Sequence, residues 1–405
     1  MESEFSSLPS TTPTSTSPLR ITIFGAGAVG GVLACRLGYA AHHNLINAQV
    51  SIVVRGKHYQ TIKEKNNTMV LRVPASPVPT TTTTTSSSST LTNTVTSPLS
   101  TEYTVPFYKV TDNSTELGVQ DIIIICIKAY SWSNSIQDIC SLINDQTIIL
   151  SIQNGIPWYL YPHLSCINST HYEQYINRSQ IISSVVYLAS SVPSPGIIEQ
   201  HTPHPKIIFG DIIVNQDSIK YSSNMEKIIY ILTQANLSIS SVQSITPSTV
   251  THNINPNTII PYPLQIEPTL HIADHIWTKL WGNLAFNLIS VLTLSTMGEM
   301  INNSDIYTLA YQIMEETQQV GLAIQPIPIK FPQTIPERLK VSAGIPSNFK
   351  TSMYQDLENH RPLEITSIGE TIIELAKEYH IPIPRIETIV QLVKLRNTHI
   401  HYETK

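Results

Sequence analysis

Apolar positions fall in short continuous runs through the first part of the chain and at helical spacing through the last, and the change comes near residue 270. Ile21 to Phe24 reads as a buried strand, and Val29, Val32, Leu33 and Leu37 follow at the spacing of one helix face. Gln49 to Val54 predicts a second strand. Asp121 to Ile127 (DIIIICI) is an unbroken apolar run of the kind a parallel strand covered on both faces carries. Helical spacing through Ile136, Ile139 and Leu142 then leads to a strand over Thr147 to Ile152. Thr104 to Val110, Ile181 to Ala189 and Lys206 to Gly210 predict further strands, the last two separated by a turn at Pro193 to Gly196. Asn224 to Ala235 is amphipathic and helical, and Ser238 to Ile245 is expected to close the sheet. Beyond it Ala273 to Leu294, Ser304 to Leu322, Thr366 to Glu378 and Ile386 to Leu395 are helical by length and spacing.

Alternating strands and helices followed by helices alone predict an α/β N-terminal dinucleotide-binding domain of Rossmann type plus an all-α C-terminal domain. Composition sets the divisions. Residues 1–19 are a Ser/Thr/Pro-rich tail expected to be disordered, and residues 20–245 form the first domain. A Thr/Ser-rich insertion at 74–100 interrupts that domain, because such a stretch has too little apolar surface to offset the entropy of ordering it. Prolines at 247, 256, 261, 263 and 268 mark residues 246–271 as a linker or insertion, and 272–405 is the helical domain.

Glycine is scarce, 15 residues in 405, yet Gly25, Gly27, Gly30 and Gly31 are clustered where strand becomes helix. The segment Gly25, Ala26, Gly27, Ala28, Val29 and Gly30 has the GxGxxG spacing. Its first glycine allows a tight turn, its second lets the backbone approach a pyrophosphate, and its third lets helix and strand pack closely. The helix N-terminus then offers unpaired N–H groups to the phosphates. The second predicted strand ends at Arg55 where an NAD-binding chain would carry an acid, so the extra phosphate of NADP is the expected partner. Lys57 and His58 nearby favour the same phosphate.

The net charge of −5, with no long basic run, disfavours nucleic acid and anionic membranes as partners and points to small molecules. Cys35, Cys126, Cys140 and Cys166 lack metal-binding spacing, so no metal is expected and the thiols read as reduced. There is no apolar leader and no bilayer-length apolar run, which predicts a cytoplasmic protein. A homodimer is left open.

Polar residues at strand ends mark the ligand edge of such a sheet. Lys128 ends the DIIIICI strand, and Gln153, Asn154 and Gly155 end the next. Lys279, Asn283 and Asn287 stand four residues apart on one face of a helix that is otherwise apolar nearly all round, and Ser290 extends the stripe. A narrow polar stripe on a buried helix has to line a cleft. Ser352, Asp356 and Glu364 form a later polar set around the Arg361–Pro362 break.

In this order, GAGAVG, a strand ending in Arg, IK, QNG, the Lys/Asn/Asn helix, TSMYQD and PLEI resemble the ketopantoate reductase family over about Arg20 to Lys394, insertions excepted. The resemblance implies NADPH-dependent reduction of 2-dehydropantoate to pantoate in pantothenate and coenzyme A biosynthesis. It implies that Gly25, Gly27 and Gly30 hold the pyrophosphate, Arg55 the 2′-phosphate, and Lys128 and Asn154 the cofactor. Lys279 matches the catalytic lysine, Glu364 an acid that hydrogen-bonds in the active site, and Asn283, Asn287 and Ser352 the substrate-binding residues. Where the family carries a further Asn, this chain has Met297. That difference keeps a reductase of another branched 2-keto acid in view; a catalytically silent NADP-binding regulatory protein is the alternative from a different class.

Overall fold

The computed structural model describes residues 17–74, 100–167, 169–212, 220–235 and 260–402. In it β1 (Leu19–Phe24) runs through the glycine turn into α1 (Ala28–His42). The chain continues through β2 (Ala48–Val53), α2 (Gly56–Glu64), β3 (Thr68–Val73), β4 (Thr101–Pro106) and β5 (Lys109–Thr111). Next come β6 (Ile122–Ile125), α3 (Trp132–Cys140), β7 (Ile148–Ile152), α4 (Thr170–Glu173) and β8 (Ile181–Tyr187). A hairpin of β9 (Ser190–Ser194) and β10 (Ile197–Gln200) leads to β11 (Lys206–Asp211), α5 (Ser223–Gln234) and β12 (Gln265–Pro268).

An eight-stranded sheet has the order β12-β11-β8-β7-β6-β1-β2-β5, and it is parallel except where β11 meets β8. The continuous apolar runs have a simple cause. In β6, Ile122 and Ile124 enter a core shared with α1, while Ile123 and Ile125 enter a second core shared with α3. A strand with both faces covered has no position left for a solvated residue. Burying each such side chain contributes about 1.5–3 kcal/mol.

β1 lies between β2 and β6, so the chain leaves the sheet in opposite directions on either side of it. This is the topological switch point, where a crevice opens beyond the carboxyl ends of the strands. The glycine turn, Arg55, Lys128 and Asn154 all follow strands at that edge.

A second sheet of order β4-β3-β10-β9 covers the outer side of α1. The sequence pattern does not predict it: Pro193 to Gly196 reads as a plain turn and Thr104 to Val110 as one strand. The latter is two strands in different sheets, β4 and β5, divided at Phe107 and Tyr108. Small residues on α1 permit the close packing: a side chain at Gly31 would meet Ile198, and one at Gly38 would meet Val105 and Phe107.

The expected linker is also corrected. Its later part contains β12, whose Gln265 to Pro268 pair in parallel with Lys206 to Phe209, because Ile266 is needed to finish the core at that edge. The predicted strand over 238–245 lies outside the described residues, as do residues 1–16, most of the insertion at 74–100 and the first part of the linker.

From Ile272 the chain is helical: α6 (Ile272–Gly282), a π-helical turn over Asn283–Asn287, α7 (Leu288–Thr293), α8 (Met297–Asn302) and α9 (Ser304–Ala323). Then follow α10 (Ile335–Ala343), α11 (Ser352–Glu358), a π-helical turn over Thr366–Glu370, α12 (Thr371–Glu378) and α13 (Pro384–Tyr402). Trp277, Leu280, Trp281 and Leu284 are fully buried, so α6 is the central post of this half. Its first turns also pack on the sheet, where Ile272 and Ile276 meet Val185 and Ile208.

A second bond between the halves comes at Gly155, with φ +75°, where a Cβ would stand 2.2 Å from the carbonyl oxygen of Ser367. Glycine lets the loop after β7 touch the π-helical turn before α12, and Ile156 N–H donates to that same carbonyl at 2.6 Å. The described cysteines are all free, and no described helix is long and apolar enough to cross a membrane.

Candidate active site

The glycine turn has the shape a dinucleotide needs. Gly25 has φ +96°, a conformation other residues avoid, and a Cβ on Gly30 would lie 2.2 Å from the Gly25 carbonyl oxygen. At Gly27 a Cβ would meet nothing within 4 Å, so the turn presents open backbone to the crevice. Gly27 is also the N-cap of α1, without a side chain to satisfy the first N–H groups and without an acid in the first turn. Free donors at the positive end of a helix fit a pyrophosphate.

His58 does not add to the positive charge of Arg55, as its place in the sequence would suggest. Its Nδ1 accepts from Gly196 N–H at 2.9 Å and its Nε2 donates to the Ala26 carbonyl at 3.1 Å. That tautomer is neutral, and burial lowers the ring's pKa below its ordinary value. His58 therefore braces the glycine turn. Arg55 does stand at the end of β2, more than half exposed, with one guanidinium nitrogen on Asp138 of α3 at 2.5 Å.

At the next two strand ends the halves of the protein meet. Lys128 Nζ donates to Asp356 Oδ2 at 2.6 Å and to Glu364 Oε2 at 3.0 Å, and Ala129 N–H donates to Glu364 Oε1 at 3.3 Å. Both carboxylates are buried. Burial pulls the Lys128 pKa down, but the two carboxylates outweigh it and the net shift is upward, so this lysine stays charged.

Asn154 links that ion cluster to Lys279. Its Nδ2 donates to Glu364 Oε2 at 3.5 Å and its Oδ1 accepts from Lys279 Nζ at 2.9 Å. Lys279 Nζ also donates to the Val186 carbonyl in β8 at 2.7 Å, and it lies 5.9 Å from the centre of the Tyr187 ring. An ammonium has three donors, so one is left over. Burial lowers the Lys279 pKa to about 8; Glu364 opposes the shift, and Arg338 and Lys128 add to it.

Along the same helix, Asn287 Nδ2 donates to Asn283 Oδ1 at 3.4 Å, and the Asn283 Nδ2 is buried without a partner among the described residues. The π-helical turn falls on these residues and rotates the helix beyond Lys279, a local change often found at functional sites. Ser290 turns away, bonding Thr351 Oγ1 at 2.7 Å.

Lys128, Asn154, Lys279 and Glu364 are thus joined by hydrogen bonds at the sheet edge that carries the glycine turn, and Asn283 and Asn287 follow Lys279 on its helix. Ser352 is different: it is exposed on the first turn of α11, and its hydroxyl has no partner among the described residues. Met297 is buried in the helical core with its N–H on the Phe349 carbonyl. Sequence pattern assigns Asp356 no role of its own, and it does not point to Arg338, Tyr187 or the Val186 carbonyl. A backbone acceptor leaves no mark on residue type, whereas an Asp among the apolar residues of TSMYQDL is a usable signal.

A mainly parallel sheet with a glycine turn at its switch point, facing a buried ammonium from a helical half, defines the class of two-domain dinucleotide-dependent oxidoreductases. The sequence narrows this. Residues 21–213 match the model for ketopantoate reductase PanE/ApbA and residues 271–397 the model for its C-terminal part, and the chain belongs to that family. A 2-dehydropantoate 2-reductase of Mesorhizobium japonicum is 28% identical over 386 residues, 93% of this chain and 97% of its own. The crystal structure of 2-dehydropantoate 2-reductase from Geobacter metallireducens is similar with a TM-score of 0.68 and 20% identity, covering 93% of this chain and all of that one. D-mandelate dehydrogenase in a ternary structure with NADH and anilino(oxo)acetate has a TM-score of 0.67 and 19% identity, covering 95% of this chain and 100% of its own.

Proposed function

We propose that the chain reduces 2-dehydropantoate to pantoate with NADPH. The observation that carries this reading is Lys279, a buried lysine with a spare donor, aligned by Asn154 and Val186 at the sheet's ligand edge. Bound at the glycine turn, the nicotinamide cofactor would supply a hydride to the keto carbon. Negative charge then develops on the keto oxygen, and an ammonium placed there stabilises it and gives up its proton. Two hydrogen bonds fix the Lys279 nitrogen, and a pKa of about 8 makes the proton easier to release than that of an exposed lysine. Below that pKa, Lys279 is mostly protonated and ready to donate. The Asn283 and Asn287 amides supply uncharged donors and acceptors for the substrate's hydroxyl group.

The test is NADPH oxidation by the purified protein with 2-dehydropantoate, beside 2-oxoisovalerate, phenylglyoxylate and an NADH control. Preferred turnover of 2-dehydropantoate with NADPH is expected. Preference for another keto acid would change the substrate, and cofactor binding without turnover of any would leave a silent binding protein. The D-mandelate dehydrogenase likeness and Met297 are why the aryl and branched acids are included.

Arg55 sets the cofactor preference in this reading. Losing a charge-assisted contact to the 2′-phosphate removes about 1.5–3 kcal/mol, so Arg55→Ala should weaken NADPH binding by roughly 10- to 150-fold. NADH binding, read by fluorescence quenching on the same variant, should hardly change. Equal losses for both cofactors would remove Arg55 from the phosphate site.

A further inference from the structure

Arg338, on α10, is an arginine without a counter-ion. Among the described residues it has no ion pair and its side chain makes no hydrogen bond, and its Nε is buried and unpartnered. Two other cations of this protein are provided for: Arg36, whose Nε is likewise unpartnered, bonds Gln200 and two backbone carbonyls through one terminal nitrogen, and Lys128 holds two carboxylates. A buried guanidinium nitrogen without a partner carries a desolvation cost, which a ligand completing the group would offset.

Its position says which ligand. The guanidinium lies across Gly282, where one of its terminal nitrogens would be 2.5 Å from a Cβ, so glycine is what admits it to this face of α6. Gly282 is three residues beyond Lys279 and one before Asn283, so the three share a face. The Arg338 charge is felt by both Lys279 and Tyr187, which are themselves neighbours. The unpaired Asn283 Nδ2 is next along the helix. Two orphaned donors therefore stand beside the ammonium proposed to meet the keto oxygen, and the cationic one has the planar fork that fits a carboxylate.

We propose that Arg338 binds the carboxylate of the 2-keto acid and makes a free carboxylate a requirement for the substrate. The proposal rests on the reductase reading for the identity of that acid. It differs from what the family resemblance implies, in which Ser352 and nearby backbone N–H groups receive the carboxylate. A keto acid spanning the two cations would set its carboxylate on Arg338 and its carbonyl oxygen against Lys279. The carboxylate and keto carbons are adjacent in such acids, which is why a lysine of α6 and an arginine of α10 laid across the same face of α6 suit them.

The experiment compares wild type, Arg338→Gln, Arg338→Lys and Ser352→Ala on 2-dehydropantoate and on its neutral lactone, which has the same ketone and no free carboxylate. For Arg338→Gln the KM of the acid should rise roughly 30- to 1,000-fold, the cost of truncating one partner of a buried charge pair, with kcat much less affected. Turnover of the lactone and the affinity for NADPH should stay near wild type. Arg338→Lys should recover part of the loss, and a rise in KM for Ser352→Ala as large as that for Arg338→Gln would return the carboxylate to Ser352 and overturn the proposal.

Equal losses on acid and lactone would assign Arg338 a structural role and overturn the proposal, as would an unchanged KM. If the wild type reduces no keto acid, the reductase reading fails by itself. Calorimetric titration of the oxidised-cofactor complex with pantoate, 2-hydroxyisovalerate and mandelate then decides the question for Arg338. Binding that Arg338→Gln weakens at least ~30-fold supports the proposal; equal binding by variant and wild type, or no binding to wild type, overturns it.

Discussion

Replacing Lys279 by alanine is expected to lower kcat for keto-acid reduction by ~10²- to 10⁴-fold, the usual worth of a positioned general acid, while NADPH still binds. Cofactor binding should survive because the glycine turn is built from β1, α1 and His58, none of which Lys279 touches. In the wild type the same residue should set the alkaline limb of the pH profile. Only the protonated ammonium can give a proton to the developing alkoxide, and its pKa is about 8. Reduction should therefore be full below that pH and fall as pH rises through it. Oxidation of the hydroxy acid needs the neutral amine as base and should rise over the same interval. A kcat within threefold of wild type for Lys279→Ala, or an alkaline limb retained by that variant, would place the acid elsewhere.

Much of this site is legible in the order of residues alone, because its parts lie at ends of elements that hydrophobic pattern predicts. Gly25 to Gly30 follow a predicted strand and open a predicted helix, and Lys128 and Asn154 each end an apolar run. Lys279 stands out because a lysine on an otherwise apolar helix requires a reason. What escapes the sequence is whatever depends on long-range packing. The second sheet is built from short strands whose alternating pattern, as in TMVLRV, is modest, and its existence depends on small residues of α1 admitting Ile198 and Val105. β12 is hidden by its own proline and those just before it, since edge strands tolerate proline and linkers are rich in it. Arg338 looks like any arginine on an amphipathic helix. Only its lack of a partner, together with Gly282 across from it, distinguishes it, and sequence records neither fact. The π-helical turn is similar: four-residue steps describe Lys279, Asn283 and Asn287 well, yet the helix is wider across the last two.

Glu364→Gln carries the second large effect, and it reaches Lys279 without touching it. Glu364 is buried and accepts from Lys128, Ala129 N–H and Asn154. Its negative charge opposes the burial that lowers the Lys279 pKa. Removing that charge while keeping the side chain's shape should lower the Lys279 pKa further, so the alkaline limb of reduction should move to lower pH. At pH 8 kcat should drop several-fold, whereas at pH 6 it should stay much closer to wild type. Lys128 keeps Asp356, so the fold should tolerate the change at a cost of about 1–3 kcal/mol in urea unfolding, the penalty for an imperfectly met buried charge. The pH dependence is what separates the electrostatic role from a merely structural one. A residue that only held the loop would lower kcat by the same factor at every pH, and an unmoved alkaline limb would show that Glu364 does not govern the proton on Lys279.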